Sequence, residues 1–464
     1  MNLYRLGLLA GLSFAAASCA VGPDYTPPET PPAVIQNADP QAVTAAEPEA
    51  AWWQAFEDPI LDGLITHAEG GNLDLRAAAA RIRAARALFN DAERDRYPRV
   101  TSDLGYNRSD EQIPGFGTNR VGIESADIGF DAAWEIDLFG HVQRGIEKAD
   151  ADAGAAEADA RDAKVTVAAE VARNYFELRG AQERRVVAES NAETQRQTLK
   201  LTQTRFEIGR GDPADVESSL ARLNAIEATI QTFVTAEKQA AYRLAVLVGE
   251  RPGVLDGELA PLAVPTKPLV KPLPIGDAGA FLRRRPDIQA AERRLAAQTA
   301  QVGVATADLF PRVKITGFIG LLSGDVSSLF ANGSQAWSVT PSVSWPAFDM
   351  GGARARLRAQ EAQSDVTLAD YDQTVLRALE DLETALVAYR QQQMQIRSLA
   401  QQVEASRRAA ELTRLRYKEG TIDFLVLLDA ERTQLSAEDA LSVAETGANT
   451  GVVAIYKALG GNWS

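Results

Sequence analysis

The sequence predicts a mainly α-helical fold with a membrane β part, built from duplicated long helical hairpins and two β-hairpins. Three observations predict it: an internal repeat that runs through the chain, two pairs of segments with strand periodicity, and two long stretches without proline. The stretch from Asp74 to Val100 reappears from Asp287 to Val313. The repeat continues in single matched pairs, which are Trp134 with Trp345, Gly140 with Gly351, Arg205 with Arg416, Gly209 with Gly420, Asp212 with Asp423 and Gly249 with Gly460. A repeat of this length indicates a duplicated architectural unit.

The repeat organises the 464 residues into two halves joined by a connector. The predicted segments are a signal peptide (1–18), a lipidated, proline-rich tether (19–51), a first structural repeat (52–253), a connector (254–276) and a second structural repeat (277–464). Each repeat is expected to contain a helix, a β-hairpin and a long helical hairpin. The prolines of the connector indicate extended chain, which links repeats rather than independent domains.

The N-terminus has the features of a secretory signal. Arg5 is its positive residue, and the apolar run from Leu6 to Ala17 is too short to span a bilayer. Cys19, the only cysteine, follows small residues and precedes a proline-rich stretch. We predict that Cys19 is the lipidated first residue of a bacterial lipoprotein, and Ala20 after it indicates transfer to the outer membrane. The alternative is that Cys19 is a small buried hydrophobe or an accident of the signal.

The composition argues against several classes of function. The net charge is −15, with 63 acidic and 48 basic residues, which disfavours nucleic acid as a partner. The only histidines are His67 and His141, so metal clusters and Cys/His catalysis lack their ingredients. No phosphate-binding loop or hydrolase motif occurs. We therefore expect no enzyme, no metal site and no cofactor other than a covalent lipid on Cys19.

Segments with a period of two predict a β-hairpin at 99–137 and a second at 312–346. In the return strand of the first hairpin, Ile128, Phe130 and Trp134 share one face and alternate with polar or small residues. Strands of this length with one apolar face suit a transmembrane barrel, although a half-buried hairpin of a soluble protein is the alternative. If the strands do lie in a membrane, several chains must share one barrel, because two hairpins provide only four strands and bacterial barrels need at least about eight.

Two long helical hairpins are predicted at 141–248 and 352–460. No proline lies between His141 and Asp212, and a helix of about 65 residues is on the order of 100 Å long. Apolar residues, many of them alanine, recur at coiled-coil spacing along it, so that neighbouring helices can approach closely. The hairpins are expected to turn at tips that span 205–213 and 416–424. Gly209 suits a helix C-terminal cap, Asp212 an N-cap and Pro213 the first helical position.

Several short motifs together resemble the outer-membrane efflux proteins of the TolC/OprM type, in their NodT-like lipoprotein branch. These motifs are Cys19-Ala-Val-Gly-Pro-Asp-Tyr25, Trp52-Trp53 with Asp58-Pro59, Arg284-Arg285-Pro286-Asp287-Ile288, the paired Arg-aromatic-x-x-Gly tips and Ala458-Leu-Gly-Gly-Asn-Trp463. The resemblance implies a homotrimer with a 12-stranded outer-membrane barrel, four strands per chain, and a periplasmic helical barrel. It implies an exit duct for drugs or other toxic small molecules, supplied by a periplasmic adaptor and an inner-membrane transporter of the RND type.

The resemblance also places a gate after the second tip. The matching positions are Leu425 for an apolar ring, Asp429 for an acidic ring and Arg432 for the partner of an acidic group. Val426 and Ile422 stand where other members have an aspartate and an arginine, so the acidic ring is expected to be smaller here. Three Asp429 side chains near a trimer axis would repel one another or recruit a cation. Without the resemblance, Asp429 would be taken for a solvated helix residue.

The two tips are the expected docking surface for the adaptor. Its candidate residues are Arg205, Gly209, Asp212, Arg416, Tyr417, Gly420 and Asp423. The same residues would serve as helix caps in any hairpin, and the two roles are compatible.

Two other readings remain open from the sequence. A periplasmic coiled-coil adaptor or scaffold lipoprotein would explain the lipid, the helices and the tips, but not the duplicated hairpins with an apolar face. Within the duct reading, an exit for type I protein secretion is the alternative to small-molecule efflux.

Overall fold

The computed structural model describes residues 20–29, 35–39, 43–112, 120–260, 268–269 and 271–461. Cys19, the signal peptide and Trp463 lie outside the described residues. The chain divides into two compact units, and each contains segments of both repeats. The first unit comprises the described residues up to 29 together with 80–157 and 290–373, and the second comprises the described residues among 30–79, 158–289 and 374–464.

The first unit contains a four-stranded antiparallel sheet. Its strands are β2 (Arg99–Gln112), β3 (Arg120–Ile136), β5 (Arg312–Ser323) and β6 (Gln335–Ser344), in the order β2-β3-β5-β6. The hairpins of the two repeats therefore meet through β3 and β5. Residues 113–119, at the turn of the first hairpin, lie outside the described part of the chain.

The strand register gathers the predicted apolar residues on one face of the sheet. Phe130 lies opposite Ile319, which lies opposite Trp337. These three side chains are 58%, 64% and 77% exposed. An apolar face of this extent is unusual on a monomer in water. The alternative of a half-buried soluble hairpin is therefore wrong, because the apolar side of the sheet is not buried within the chain.

The same hydrogen bond recurs at corresponding tryptophans of the two repeats. Trp134 donates from Nε1 to the carbonyl of Arg96 at 3.1 Å, and Trp345 donates from Nε1 to the carbonyl of Leu309 at 3.0 Å. In each repeat the acceptor follows the short helix that precedes the first strand. These helices are α2 (Leu73–Arg94) and α6 (Pro286–Ala307).

The remaining elements are mostly helical. They are β1 (Val43–Thr44), a 3-10 helix (Trp52–Phe56), α1 (Pro59–Gly71), α3 (His141–Glu207), α4 (Pro213–Leu247), β4 (Leu273–Pro274), α5 (Ala278–Arg284), a second 3-10 helix (Val326–Ser328), α7 (Met350–Glu419) and α8 (Phe424–Ala458). β1 pairs in parallel with β4. No helix among the described residues is both long and apolar enough to cross a membrane.

The core of the second unit is formed by large side chains from both repeats. Trp52 stacks on Tyr456 with their ring centroids 5.0 Å apart, and Tyr175 and Phe281 are fully buried. Asp58 caps α1 through the amide nitrogens of Ile60 and Leu61, and it accepts a hydrogen bond from the Tyr175 hydroxyl at 2.5 Å. The Trp-Trp and Asp-Pro motifs therefore fix the N-terminal part of the first repeat against the core of the second unit.

Arg285 joins the start of α6 to the end of α8 within the second unit. Its guanidinium makes two hydrogen bonds to Asp287, at 3.0 and 2.7 Å, and donates to the carbonyl of Ala458 at 2.7 Å. Only 7% of the residue is exposed. Because the Nη2 atom also lies 3.4 Å from Asp381, Arg285 is a buried cation with two acidic neighbours.

Candidate functional site

Both hairpin tips close with the same backbone turn. The amide of Gly209 donates to the carbonyl of Phe206 and that of Arg210 to the carbonyl of Arg205, at 2.9 and 2.8 Å. At the second tip, Gly420 and Thr421 donate to Tyr417 and Arg416, both at 3.0 Å. Gly209 and Gly420 have φ of +70° and +79°, a left-handed conformation that glycine adopts without strain. The predicted glycine caps are confirmed.

The two tips differ in how their second helix begins. Asp212 accepts a hydrogen bond from the amide of Ala214 at 2.8 Å, so it is the predicted N-cap of α4, with Pro213 at the first helical position. Asp423 stands at the N-cap of α8 but makes no side-chain capping bond. The exposed Asp423 carboxylate is therefore not needed to start its helix.

Arg205 joins the first tip to the second within one chain. Its Nη1 atom donates to the carbonyl of Tyr417, and its guanidinium carbon lies 4.4 Å above the centre of the Tyr417 ring. Tyr417 is 2% exposed and packs with Phe424 and Leu427. A guanidinium over an aromatic face is attracted by the ring as well as by the carbonyl. Two of the seven predicted docking residues, Arg205 and Tyr417, thus hold the two tips together.

The three predicted gate residues lie on one exposed face of α8. Leu425, Asp429 and Arg432 are spaced by four and three residues, which aligns them along the helix. Leu425 is 70% exposed, which is unusual for a leucine beside a packed tip. Among the described residues, no side chain forms a hydrogen bond or an ion pair with Asp429. The face is therefore unpartnered within the described part of one chain.

Arg432 borders a cavity of about 400 Å³ that is also lined by Arg184, Arg222 and Asp439. Burial and then the charge of Arg432 lower the pKa of Arg222. Asp439 is engaged by Arg184 at 2.7 Å. The acidic partner expected for Arg432 is thus not supplied by Asp439.

Ion pairs at corresponding positions brace each hairpin behind its tip. In the first repeat Arg196 pairs with Glu227 at 2.8 Å, and in the second Arg407 pairs with Glu438 at 2.6 Å. Glu438 also accepts a hydrogen bond from Asn191 at 3.1 Å, which joins the second repeat to the first. The sequence analysis does not predict this repeated ion pair. The signal for it is that the arginine and the glutamate both recur at the offset of the internal repeat.

Two partly buried carboxyl groups lie farther from the tips, Glu183 on α3 and Glu445 on α8. Burial, with the charge of Glu445 as a smaller cause, raises the pKa of Glu183 to about 7, and burial raises the pKa of Glu445. A carboxyl desolvated beside another acidic group resists ionisation. Glu183 is therefore a proton-binding group near neutral pH. No sequence signal distinguished it from the other acidic residues.

We expect Glu183→Gln to stabilise the protein in mildly alkaline solution. Unfolded Glu183 loses its proton near its usual pKa of 4.5, whereas the folded carboxyl retains it until about pH 7. The free energy of unfolding of the unaltered protein therefore falls as the pH rises between these values. The thermal midpoint of the variant should exceed that of the unaltered protein at about pH 8 and match it at about pH 4.

The matched control for this test is Glu177→Gln. Glu177 lies on the same helix but is exposed and forms a surface ion pair with Arg173 at 2.8 Å. Its replacement should lower the midpoint slightly at about pH 8, because surface pairs contribute little. A Glu183→Gln midpoint below that of the unaltered protein at alkaline pH would contradict the expectation.

Potential metal ligands are not clustered in the described part of the chain. No group of three or more His, Cys, Asp or Glu residues there is arranged to hold a metal ion. The chemistry that the tips offer within one chain is electrostatic attraction and apolar contact.

Duplicated long helical hairpins, combined with four strands that expose one apolar face, define the class of envelope channels assembled from several copies of one chain. The comparisons with known proteins support this class. The family model described as "Outer membrane efflux protein" matches residues 64–250 and 279–461, once for each repeat. The chain belongs to the outer membrane efflux protein family.

The similarity extends over nearly the whole chain. It is 31% identical to the toluene efflux pump outer membrane protein TtgC of Pseudomonas putida, over 98% of this chain and 95% of that protein. It is 31% identical to nodulation protein T of Rhizobium leguminosarum bv. trifolii, over 91% and 90%. The solved structure of the outer-membrane channel OprN superposes with a TM-score of 0.90 at 48% identity, covering 96% of this chain and all of that one.

These findings confirm the resemblance, the fold class, the location and the main function predicted from the sequence. The protein is an outer-membrane channel that extends into the periplasm and serves as the exit duct for tripartite efflux. Members of the family are trimeric channels rather than enzymes. The reading as an adaptor or scaffold is therefore wrong.

Proposed function

We propose that the start of α8 gates the duct at its periplasmic end. The observation that carries the proposal is the unpartnered face formed by Leu425, Asp429 and Arg432, directly after the second tip. In a trimer, three copies of this face would meet around the axis and narrow the passage. Leucine side chains would exclude water, and carboxylates would attract cations. Channels of the closed trimer should therefore be small, rarely open and cation-favouring in planar bilayer recordings.

Arg432 would hold the gate through an acidic group of a neighbouring chain. Within the chain, Glu431 is engaged by Arg414 at 2.9 Å and by Thr198 at 2.9 Å, and Asp439 is engaged by Arg184. An exposed guanidinium that makes no ion pair among the described residues is available for a carboxylate across the interface. The proposal thus gives each of the three residues a distinct part in closure.

We further propose that the duct conducts drugs or other toxic small molecules passively, and that it catalyses no reaction. The supporting observations are the names of its relatives, which include pumps for toluene, solvents and antibiotics. A periplasmic adaptor and an inner-membrane transporter of the RND type would deliver the substrates and supply the energy. Deletion of the gene should then sensitise its host to such compounds without changing protein secretion.

The adaptor is proposed to dock on the exposed part of the tips. Gly209, Asp212, Gly420 and Asp423 are all exposed, and Ile208 beside them is 62% exposed. Glycine turns also present backbone groups to a partner. Because Arg205 and Tyr417 are engaged within the chain, they would support this surface rather than touch the adaptor.

Asp423→Lys is expected to reduce cross-linking of the trimer to its adaptor severalfold. The substitution reverses an exposed charge on the docking surface, and it removes no capping bond because Asp423 makes none. The measurement is the yield of adaptor cross-linked to the purified trimer, compared with the unaltered protein. Glu361→Lys is the matched control, because Glu361 is an exposed acidic residue of α7 in the first unit. Equal yields for both variants would argue against docking at Asp423.

We also propose that Cys19 carries a lipid. The residues that follow it are fixed at the start of α3, within the first unit. The amide of Val21 donates to the carbonyl of Phe139 at 3.1 Å, and Asp24 pairs with the buried Arg144 at 2.7 Å. This anchorage would hold the chain that follows Cys19 close to the end of β3. Such a lipid would enter the membrane in which the strands lie.

A further inference from the structure

The residues that join the two tips of one chain have counterparts in the other repeat that make no such contact within the described part of that chain. Arg205 of the first repeat covers Tyr417 of the second, and Leu201 packs against the same cluster. The repeat pairs Arg205 with Arg416, so the position after each arginine pairs Phe206 with Tyr417. Phe206, unlike Tyr417, is 47% exposed, and Arg416 is exposed as well.

The counterpart of Leu201 is also left uncovered. Leu412 lies as many residues before Arg416 as Leu201 lies before Arg205. It is 64% exposed, whereas Leu201 is packed against the apolar tip cluster. Among the described residues, no aromatic ring lies under the Arg416 guanidinium beside the exposed Leu412, and no cation covers the ring of Phe206.

A closed ring of repeated units explains this pattern. In a trimer of a duplicated chain, six similar hairpins surround the axis, and each can meet the next in the same way. The step from the first hairpin to the second lies within a chain. The step from the second hairpin to the first of the next chain lies between chains. What Arg205 does inside a protomer, Arg416 would do across the interface.

We propose that Arg416 of each protomer covers the ring of Phe206 in the neighbouring protomer and donates a hydrogen bond to the Phe206 carbonyl. Leu412 packs beside the same ring. The three contacts between chains alternate with the three contacts of Arg205 on Tyr417 within chains. Together they form a belt that links all six tips. Arg416 then belongs to the interface between protomers rather than to the adaptor surface.

A second contact between the two repeats, farther from the tips, also has corresponding residues that could repeat it between chains. Asn191 of the first repeat donates to Glu438 of the second at 3.1 Å. The corresponding residues are Gln402, which is exposed, and Glu227. Glu227 is paired with Arg196 just as Glu438 is paired with Arg407. A hydrogen bond from Gln402 to Glu227 of the next chain would repeat the observed one, because both groups have the required chemistry.

Site-directed photo-crosslinking tests the belt on the purified full-length trimer without adaptor. Phe206→p-benzoylphenylalanine should yield covalent dimers and trimers on a denaturing gel. Mass spectrometry should map the bond to α7 near Leu412 and Arg416. The matched control is the same substitution at Tyr417, whose ring is covered within its own chain and should give monomers only. A position-206 product that is confined to one chain, or that maps elsewhere, would overturn the proposal.

A double-mutant cycle provides an independent readout if the bulky probe prevents assembly. Arg416→Ala and Phe206→Ala should each lower the temperature at which the trimer dissociates, and the double variant should lower it no more than the larger single effect. Additive effects would overturn the proposal. Neither measurement depends on the gate, because closure at Asp429 is read from conductance and the belt is read from links between chains.

Discussion

The Asp429→Ala trimer is expected to conduct severalfold more current per channel than the unaltered trimer, and to lose most of its sensitivity to added divalent cations. Asp429 is exposed and unpartnered within the described part of its chain. In the proposed gate, three such carboxylates near an axis would repel one another and would bind a cation that blocks the passage. Alanine removes both the charge and the bulk. Single-channel recording in planar bilayers, with and without added magnesium, measures the two effects together.

The control for this variant is Asp365→Ala, which removes an exposed carboxylate from α7. It should leave conductance and opening frequency unchanged. Unchanged conductance and opening frequency in the Asp429→Ala trimer would eliminate the acidic gate, while the function as a duct would stand on the family relationship alone.

Arg285→Ala is expected to lower the free energy of unfolding more than any other single substitution in the motif at residues 284–288. The substitution leaves Asp287 without its two-pronged partner and the carbonyl of Ala458 without a donor, in a site where Arg285 is 7% exposed. Removing one member of a buried ion pair costs about 3 to 5 kcal/mol. We expect trimers of the variant to dissociate at a much lower temperature in detergent, as measured by heating before electrophoresis.

Two variants test the geometry of this site. Arg285→Lys keeps the positive charge but cannot make paired hydrogen bonds, so it should restore only part of the stability. Arg284→Ala removes the neighbouring arginine of the same motif, which pairs with the largely exposed Glu47. It should lower the stability less than Arg285→Ala does, by about 1 kcal/mol, because Glu47 is 60% exposed and water screens the pair. Equal losses for Arg284→Ala and Arg285→Ala would refute a special role for Arg285.

Local chemistry explains which parts of the structure could be predicted from the sequence. The turn at Gly209, the cap at Asp212 and the start of α4 at Pro213 depend on neighbours within a few residues, and the structure has them where expected. The apolar face of the strands follows from their period of two. The pairing of β3 with β5 does not, because periodicity gives each strand a face but no partner.

The contacts that could not be predicted join residues far apart in the chain. Arg205 contacts Tyr417, and the charge of Glu445 acts on Glu183, because of the way long helices are rotated against one another. The coiled-coil spacing of the sequence fixes which stripe of a helix is apolar, but not which polar residues flank it on the next helix. Arg205, which the sequence predicts at the adaptor surface, therefore has a contact within the chain that the sequence does not predict.

The duplication has a consequence for stoichiometry. The residues of the first repeat that correspond to Leu425, Asp429 and Arg432 are Ala214, Ser218 and Ala221. A trimer would therefore carry three copies of each proposed gate residue, although six hairpins would surround its axis. The hairpin of the first repeat, which lacks these side chains, would line the passage without closing it.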